Sequence, residues 1–212
     1  ERELDNIRAA LDWLLGAGRV EDALRAISAL ERFWRAHGHV GEARRWLAIG
    51  LGLAEGISAE TRADALWTAA RQAAAQSDWE ASEPFVEAAL VLFRAQDRGR
   101  EVVFALSELA SIALHRGDAE TAEERCQEAL AIARDLGDPR ATSGALSILA
   151  EVARTKGEHE RALAVSEEAV GLRRALGDPL LIVDSTYHTG VTAFGAGDLD
   201  RAEREFEASL SL

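Results

Sequence analysis

Apolar residues return along this chain at helical spacing. Val102, Leu106, Leu109 and Ala113 recur at steps of four, three and four, and Ala122, Cys126, Ala129 and Leu130 follow one stretch later at steps of four, three and one. That spacing lines one face of a 3.6-residue helix. No stretch alternates with period two for long enough to predict a strand. The pattern also repeats at larger scale. Glycines stand at 117, 157 and 197, a step of 40, in Arg116-Gly117-Asp118, Lys156-Gly157-Glu158 and Ala196-Gly197-Asp198. Gln76-Ser77-Asp78 is a degenerate earlier copy. Leu136-Gly137-Asp138-Pro139 and Leu176-Gly177-Asp178-Pro179 keep the same step. Fixed-period self-similarity of this kind marks stacked repeats.

Each 40-residue unit reads as two helices. Gly137 and Gly177 suit the left-handed position just past a helix end. Asp138 and Asp178 are placed to cap the next helix, whose first residue, Pro139 or Pro179, needs no N–H. Asp118, Glu158 and Asp198 put a negative charge at a helix start. Small residues recur in register: Ala70, Ala110, Ala150 and Gly190; Ser82, Ala122, Ala162 and Ala202; Ala73, Ala113, Ala153 and Ala193. Two small positions, one per helix, let the axes approach to roughly 8–10 Å. Pro84, inside a second helix, predicts either a kink or a start delayed to near Ser82.

These features resemble the tetratricopeptide repeat. Gly190, Gly197-Asp198 and Ala202 carry the likeness best, with Ala110, Gly117-Asp118, Ala122, Ala129 and Leu130 in the preceding copy. The family's usual Trp, Tyr and closing Pro are missing at their places, and the period is 40 rather than about 34. The likeness implies an all-α superhelical solenoid of stacked helical hairpins, about eleven helices in all. Four hairpins are expected at 57–98, 99–138, 139–178 and 179–212. Residues 1–56 form an irregular part rich in tryptophan (Trp13, Trp34, Trp46), with helices expected near 3–16, 20–36 and 40–54. The strings Asp5-Asn6-Ile7-Arg8-Ala9-Ala10-Leu11-Asp12-Trp13-Leu14-Leu15 and Phe33-Trp34-Arg35-Ala36-His37-Gly38-His39 add a second likeness. They resemble the entry to the repeat region of large bacterial signal-transduction ATPases, among them MalT-like and LuxR-type transcriptional regulators. That resemblance implies a sensor or partner platform that binds a partner protein, peptide or small inducer, with an ATPase and a DNA-binding output elsewhere. A free-standing repeat scaffold is the alternative.

Charge and composition narrow the function. The 212 residues carry 37 Asp and Glu against 24 Lys and Arg, a formal charge of −13. An acidic chain lacks the clustered cations that displace counterions from nucleic acid, and it is repelled by anionic membrane surfaces. The single cysteine, Cys126, reads as a small core residue in a reducing, cytoplasmic setting. There is no methionine, which suggests a piece of a longer protein. No phosphate loop, zinc spacing or nucleophile–base pair is visible, so the reading is non-catalytic, with no metal or cofactor. His37 and His39 in one turn read as solvated.

The candidate site follows from stacking. The first helices of successive hairpins line a groove, and the residues beside the small crossing positions face it. These are Trp67, Arg71, Ser107, Glu108, Ser111, His115, Ser147, Glu151, Arg154, Tyr187, His188 and Phe194. Aromatics, hydroxyls and both charge signs suit a protein or peptide partner. The carboxylate clamp of some tetratricopeptide repeats needs paired Lys or Arg with Asn, and only Arg71 and Arg154 are available. The apolar end at Leu210-Ser211-Leu212 is expected to pack on another chain, through self-association or on further sequence.

Overall fold

The computed structural model describes residues 2–177 and 179–211. Among these the chain forms twelve α-helices. In order they are α1 (Arg2–Gly16), α2 (Val20–Ala29), α3 (Glu31–Ala36), α4 (Val40–Gly52), α5 (Ala59–Ala74) and α6 (Trp79–Ala95), then α7 (Gly99–His115), α8 (Ala119–Asp135), α9 (Pro139–Thr155), α10 (His159–Leu176), α11 (Pro179–Gly195) and α12 (Leu199–Ser211). The described residues include no strand. The count is twelve rather than eleven because the stretch expected as one helix over 20–36 is two. In an unbroken helix the Ile27 carbonyl would accept the Glu31 N–H. Here the Trp34 indole Nε1 donates to it at 3.0 Å, and Leu30 leaves helical geometry at φ −91°, ψ 11°.

The chain divides into two compact units, one ending at Asp97 and one beginning at Arg98. In the N-terminal unit the hairpin α5–α6 packs with α2 and α4. Its core gathers Leu11, Leu24, Ile27, Trp34, Trp46 and Leu47, with Phe33 and Phe85 packed against it. Arg8 on α1 holds Glu42 on α4 with two nitrogens, at 2.6 and 2.9 Å, and keeps that carboxylate's pKa below its ordinary value. In the C-terminal unit, α7–α8, α9–α10 and α11–α12 are successive hairpins, each helix packing on the next.

The residues expected at the turns adopt the geometry that the repeat requires. Gly117, Gly157 and Gly197 have φ of 79°, 76° and 80°. In the degenerate copy Ser77 takes the same left-handed conformation at φ 56°, and Asp97, in register with Gly137, does so at 53°. Asp118 accepts the Thr121 N–H at 3.0 Å, and Asp138 accepts from Arg140 and Ala141 at 3.0 and 3.1 Å. Glu158 makes no such cap. Its carboxylate pairs with Arg161 at 2.7 Å instead, and Arg161 and Lys156 both hold Glu123 on α8 at 2.5 Å. The cap expected from Asp178, like the end residue Leu212, lies outside the described residues. Pro84 sits inside α6, which starts at Trp79 under an Asp78 cap rather than near Ser82. Pro84 is exposed, so the carbonyl it leaves without a helical partner, that of exposed Glu80, is on the solvent side.

The small crossing residues are buried without exception among Ala70, Ala110, Ala150, Ser82, Ala122, Ala162, Ala202, Ala73, Ala113, Ala153 and Ala193. Ser82 Oγ donates to the Ala70 carbonyl at 3.0 Å, which ties α5 to α6 at their crossing. Gly190 is packed so closely that a β-carbon there would lie 2.7 Å from the Phe206 ring.

Candidate functional site

The twelve expected groove residues fall into four places. Ser147, Glu151, Arg154, Tyr187 and His188 meet in one cleft of the C-terminal unit, of about 210 Å³. Ala150, Ala169 and Val191 give it apolar wall, and Ser166, Ser185 and Thr192 give it hydroxyls. Ser107, Glu108, Ser111 and His115 lie on α7, outside that cleft. Ser111 Oγ donates to the Ser107 carbonyl at 3.2 Å, and a His115 ring nitrogen lies 2.9 Å from the Ser111 carbonyl. Phe194 is exposed on α11 and does not line the cleft. Trp67 and Arg71 belong to the N-terminal unit. Trp67 meets Phe93 edge-on at 6.3 Å, and the Arg71 guanidinium lies 5.8 Å from the Trp67 ring centre. Trp67 also walls a hollow with Arg25, Ser28, Asp64 and Thr68.

Local folding explains the cleft. α9 supplies Ser147, Glu151 and Arg154 on successive turns, and α11 supplies Tyr187, His188 and Val191. Small residues on α9 and α10, Ala150 and Ala169, keep the space between them open. Three hydroxyls donate within their own helices: Ser147 to the Ser143 carbonyl at 3.0 Å, Ser185 to Leu181 at 2.9 Å and Thr192 to His188 at 2.9 Å. Their protons are committed, so they offer the cleft oxygen lone pairs. Glu151 and Arg154 stand one turn apart at 3.6 Å, both partly exposed.

Behind the cleft lies a buried cation that the sequence reading missed. Arg173 on α10 donates to Asp184 at 2.7 Å, to the Leu181 carbonyl at 3.2 Å and to Ser147 Oγ at 2.9 Å. It fixes α11 and one cleft residue on α9 together. Its register was the available signal: stepping by 40 gives Phe93, Ala133 and Arg173, two core residues and then a charge. The Asp184 carboxylate also faces His188 Nε2 at 3.5 Å. Asp184 therefore titrates below its ordinary value, chiefly through His188 and further through Arg173, while its partial burial opposes the shift. The same hydrogen bond raises His188. Burial, with Glu123 and Glu151 nearby, pushes the Cys126 thiol up to about 12.

Among the described residues no cluster of three or more His, Cys, Asp or Glu is placed to hold a metal ion, and no helix is long and apolar enough to cross a membrane. A His37 ring nitrogen lies 3.0 Å from the Phe33 carbonyl, and the imidazole packs on the Phe33 ring.

The hairpins and their turns have counterparts among known proteins. Residues 101–175 match the tetratricopeptide repeat. The chain thus carries a tetratricopeptide-repeat region, set in an all-helical array of hairpins. No curated relative matches the chain. Among solved structures, BtubC (BKLC) from P. vanneervenii superposes with a TM-score of 0.80 at 18% identity, over 100% of this chain and 89% of that one. The tetratricopeptide repeat sensor protein PH0952 from Pyrococcus horikoshii, a signal transduction ATPase with numerous domains, gives 0.74 at 18% identity, over 88% of this chain and 29% of its own. A Rap protein complexed with Competence and Sporulation Factor gives 0.71 at 15% identity, over 100% and 66%. At these identities the likeness is one of fold.

Proposed function

We propose that this tetratricopeptide-repeat region is a non-catalytic interaction module whose cleft between α9 and α11 seats a side chain of a protein or peptide partner. The observation that carries this is the cleft itself. It joins an apolar wall to committed hydroxyl acceptors, with exposed Tyr187 and the Glu151–Arg154 pair as lining. At about 210 Å³ it is smaller than the roughly 300–1,000 Å³ of small-molecule sites. One anchoring side chain fits better than a whole small inducer. The Rap structure, complexed with a factor, and the sensor region of the PH0952 protein support a binding role for this fold. The likeness of residues 1–55 to signalling ATPases supports the finer reading of a cytoplasmic sensor segment in a transcriptional regulator of the MalT-like or LuxR type. The coding sequence on either side of this segment tests that finer reading. The cleft is tested by selecting displayed peptides on the whole chain and repeating the binding with Val191→Arg. Selected peptides should lose affinity to Val191→Arg; undiminished binding contradicts the cleft.

A second reading, self-association, rests on the register of one residue. Leu90, Leu130 and Val170 are 5%, 8% and 6% exposed, whereas Leu210 at the same register is 89% exposed. Sedimentation at rising concentration should show association that Leu210→Glu abolishes. A concentration-independent monomer contradicts it.

A further inference from the structure

The N-terminal unit carries a cationic hollow that the reading above does not use. Arg32 and Arg35 on α3 and Arg71 on α5 line an open depression of about 620 Å³, walled by Ala36, Val40 and Ala75. Among the described residues one carboxylate serves this group: Glu31 Oε1 takes Arg71 Nε at 2.6 Å and Arg35 at 3.3 Å. Arg32 has no hydrogen-bond or ion-pair partner among the described residues and is exposed. Three guanidiniums against one carboxylate leave a formal excess of two positive charges in a chain of net −13. Carboxylates are plentiful here, and elsewhere arginines take them: Arg8, Arg44, Arg100, Arg134, Arg161 and Arg201 each hold one on another helix or turn. In register with Arg71, the later repeats have Ser111, Glu151 and Val191, so the cation is particular to this place.

We propose that this hollow binds the dianionic phosphate group of a ligand. A guanidinium presents a planar fork that matches phosphate oxygens two at a time. An excess of two charges suits a dianion better than a single carboxylate. Arg71 is held by Glu31, with its guanidinium 5.8 Å from the Trp67 ring centre, so its remaining donors are pre-oriented. Arg32 and Arg35 close on the group from the short helix opposite. Inorganic phosphate and a phosphate ester share this chemistry.

The test titrates the whole chain with inorganic phosphate at low ionic strength, against chloride at matched ionic strength, and follows the arginine Nε signals by NMR. The expected result is saturable movement of the Arg32, Arg35 and Arg71 signals by phosphate and not by chloride. Arg32→Gln, at an exposed position that folding does not depend on, should weaken phosphate binding about tenfold. Arg134→Gln, an exposed arginine of the C-terminal unit, should leave it unchanged. O-phosphoserine separates the sources: tighter binding than inorganic phosphate identifies an esterified group, and weaker binding identifies the free ion. Phosphate acting no more than chloride, or full affinity in Arg32→Gln, overturns the proposal. Neither outcome touches the cleft reading, which Val191→Arg tests separately.

Discussion

Phe206 on α12 fills the space that a β-carbon at Gly190 on α11 would occupy, with ring atoms 2.7 and 2.8 Å from that point. The register explains the pairing. Stepping by 40, Ala70, Ala110 and Ala150 stand where Gly190 stands, and Val86, Cys126 and Ser166 stand where Phe206 stands. A larger residue on the second helix goes with a smaller one on the first. Gly190→Ala should therefore destabilise the C-terminal unit by ~1–3 kcal/mol through overpacking. Phe206→Val or Phe206→Cys in the same chain should restore much of the loss, because those types accompany alanine elsewhere. Thermal melting of the three single variants and the two double variants checks the coupling. Additive losses would mean that the two positions do not share one crossing.

Ser77 carries a backbone conformation suited to glycine, φ 56° where Gly117, Gly157 and Gly197 lie near 80°. A side chain in the left-handed region costs ~1–2 kcal/mol. Ser77→Gly should raise stability by about 1 kcal/mol, offset in part by the extra freedom of glycine in the unfolded chain. Urea unfolding measures it, and an unchanged or lowered midpoint contradicts the strain.

Much of the fold was legible because its signals are local. The glycine turns, aspartate caps and small crossing residues repeat at one fixed step; the turns and caps answer to backbone geometry, and the small residues to the packing of neighbouring helices. The break at Leu30 was not legible. It depends on the Trp34 indole reaching the Ile27 carbonyl, a competition for one acceptor that apolar spacing cannot show. The candidate site was legible by half. Register found Ser147, Glu151, Arg154, Tyr187 and His188, because neighbouring hairpins place equivalent residues side by side. It missed Arg173 and Asp184, since a charge in a core register reads as an irregularity until its partners are seen. Arg32 and Arg35 escaped for another reason. They lie in the irregular N-terminal helices, where no step of 40 relates them to anything.

Cys126 should be slow to react. It is buried, and its thiol is pushed up to about 12, so little thiolate forms at neutral pH. Its reaction with a disulfide reagent in native buffer should be far slower than in urea, where the chain is unfolded. Equal rates would place the thiol at the surface.

The Asp184–His188 pair should make α11 sensitive to pH in both directions. His188 is raised, so its contribution is fully present below the ordinary imidazole value of about 6.5 and is lost as pH rises through the folded value. Asp184 is lowered, so its contribution is present above the ordinary carboxylate value of about 3.9 and is lost as pH falls through the folded value. The pair is strongest between those limits. Glu151 on α9 adds to the rise of His188, and Arg173 on α10 opposes it. NMR titration of His188 should show its midpoint fall in Asp184→Asn. An unmoved midpoint would remove the pair from the account.

The central claim is that a partner's side chain sits between α9 and α11. The most direct measurement is amide NMR mapping of a peptide selected on the whole chain. The account predicts saturable shifts centred on Ser147, Glu151, Tyr187, His188 and Val191, with little change at exposed α8 and α10 positions such as Glu128 and Glu168. Shifts centred on those outer positions, with the cleft undisturbed, would contradict it.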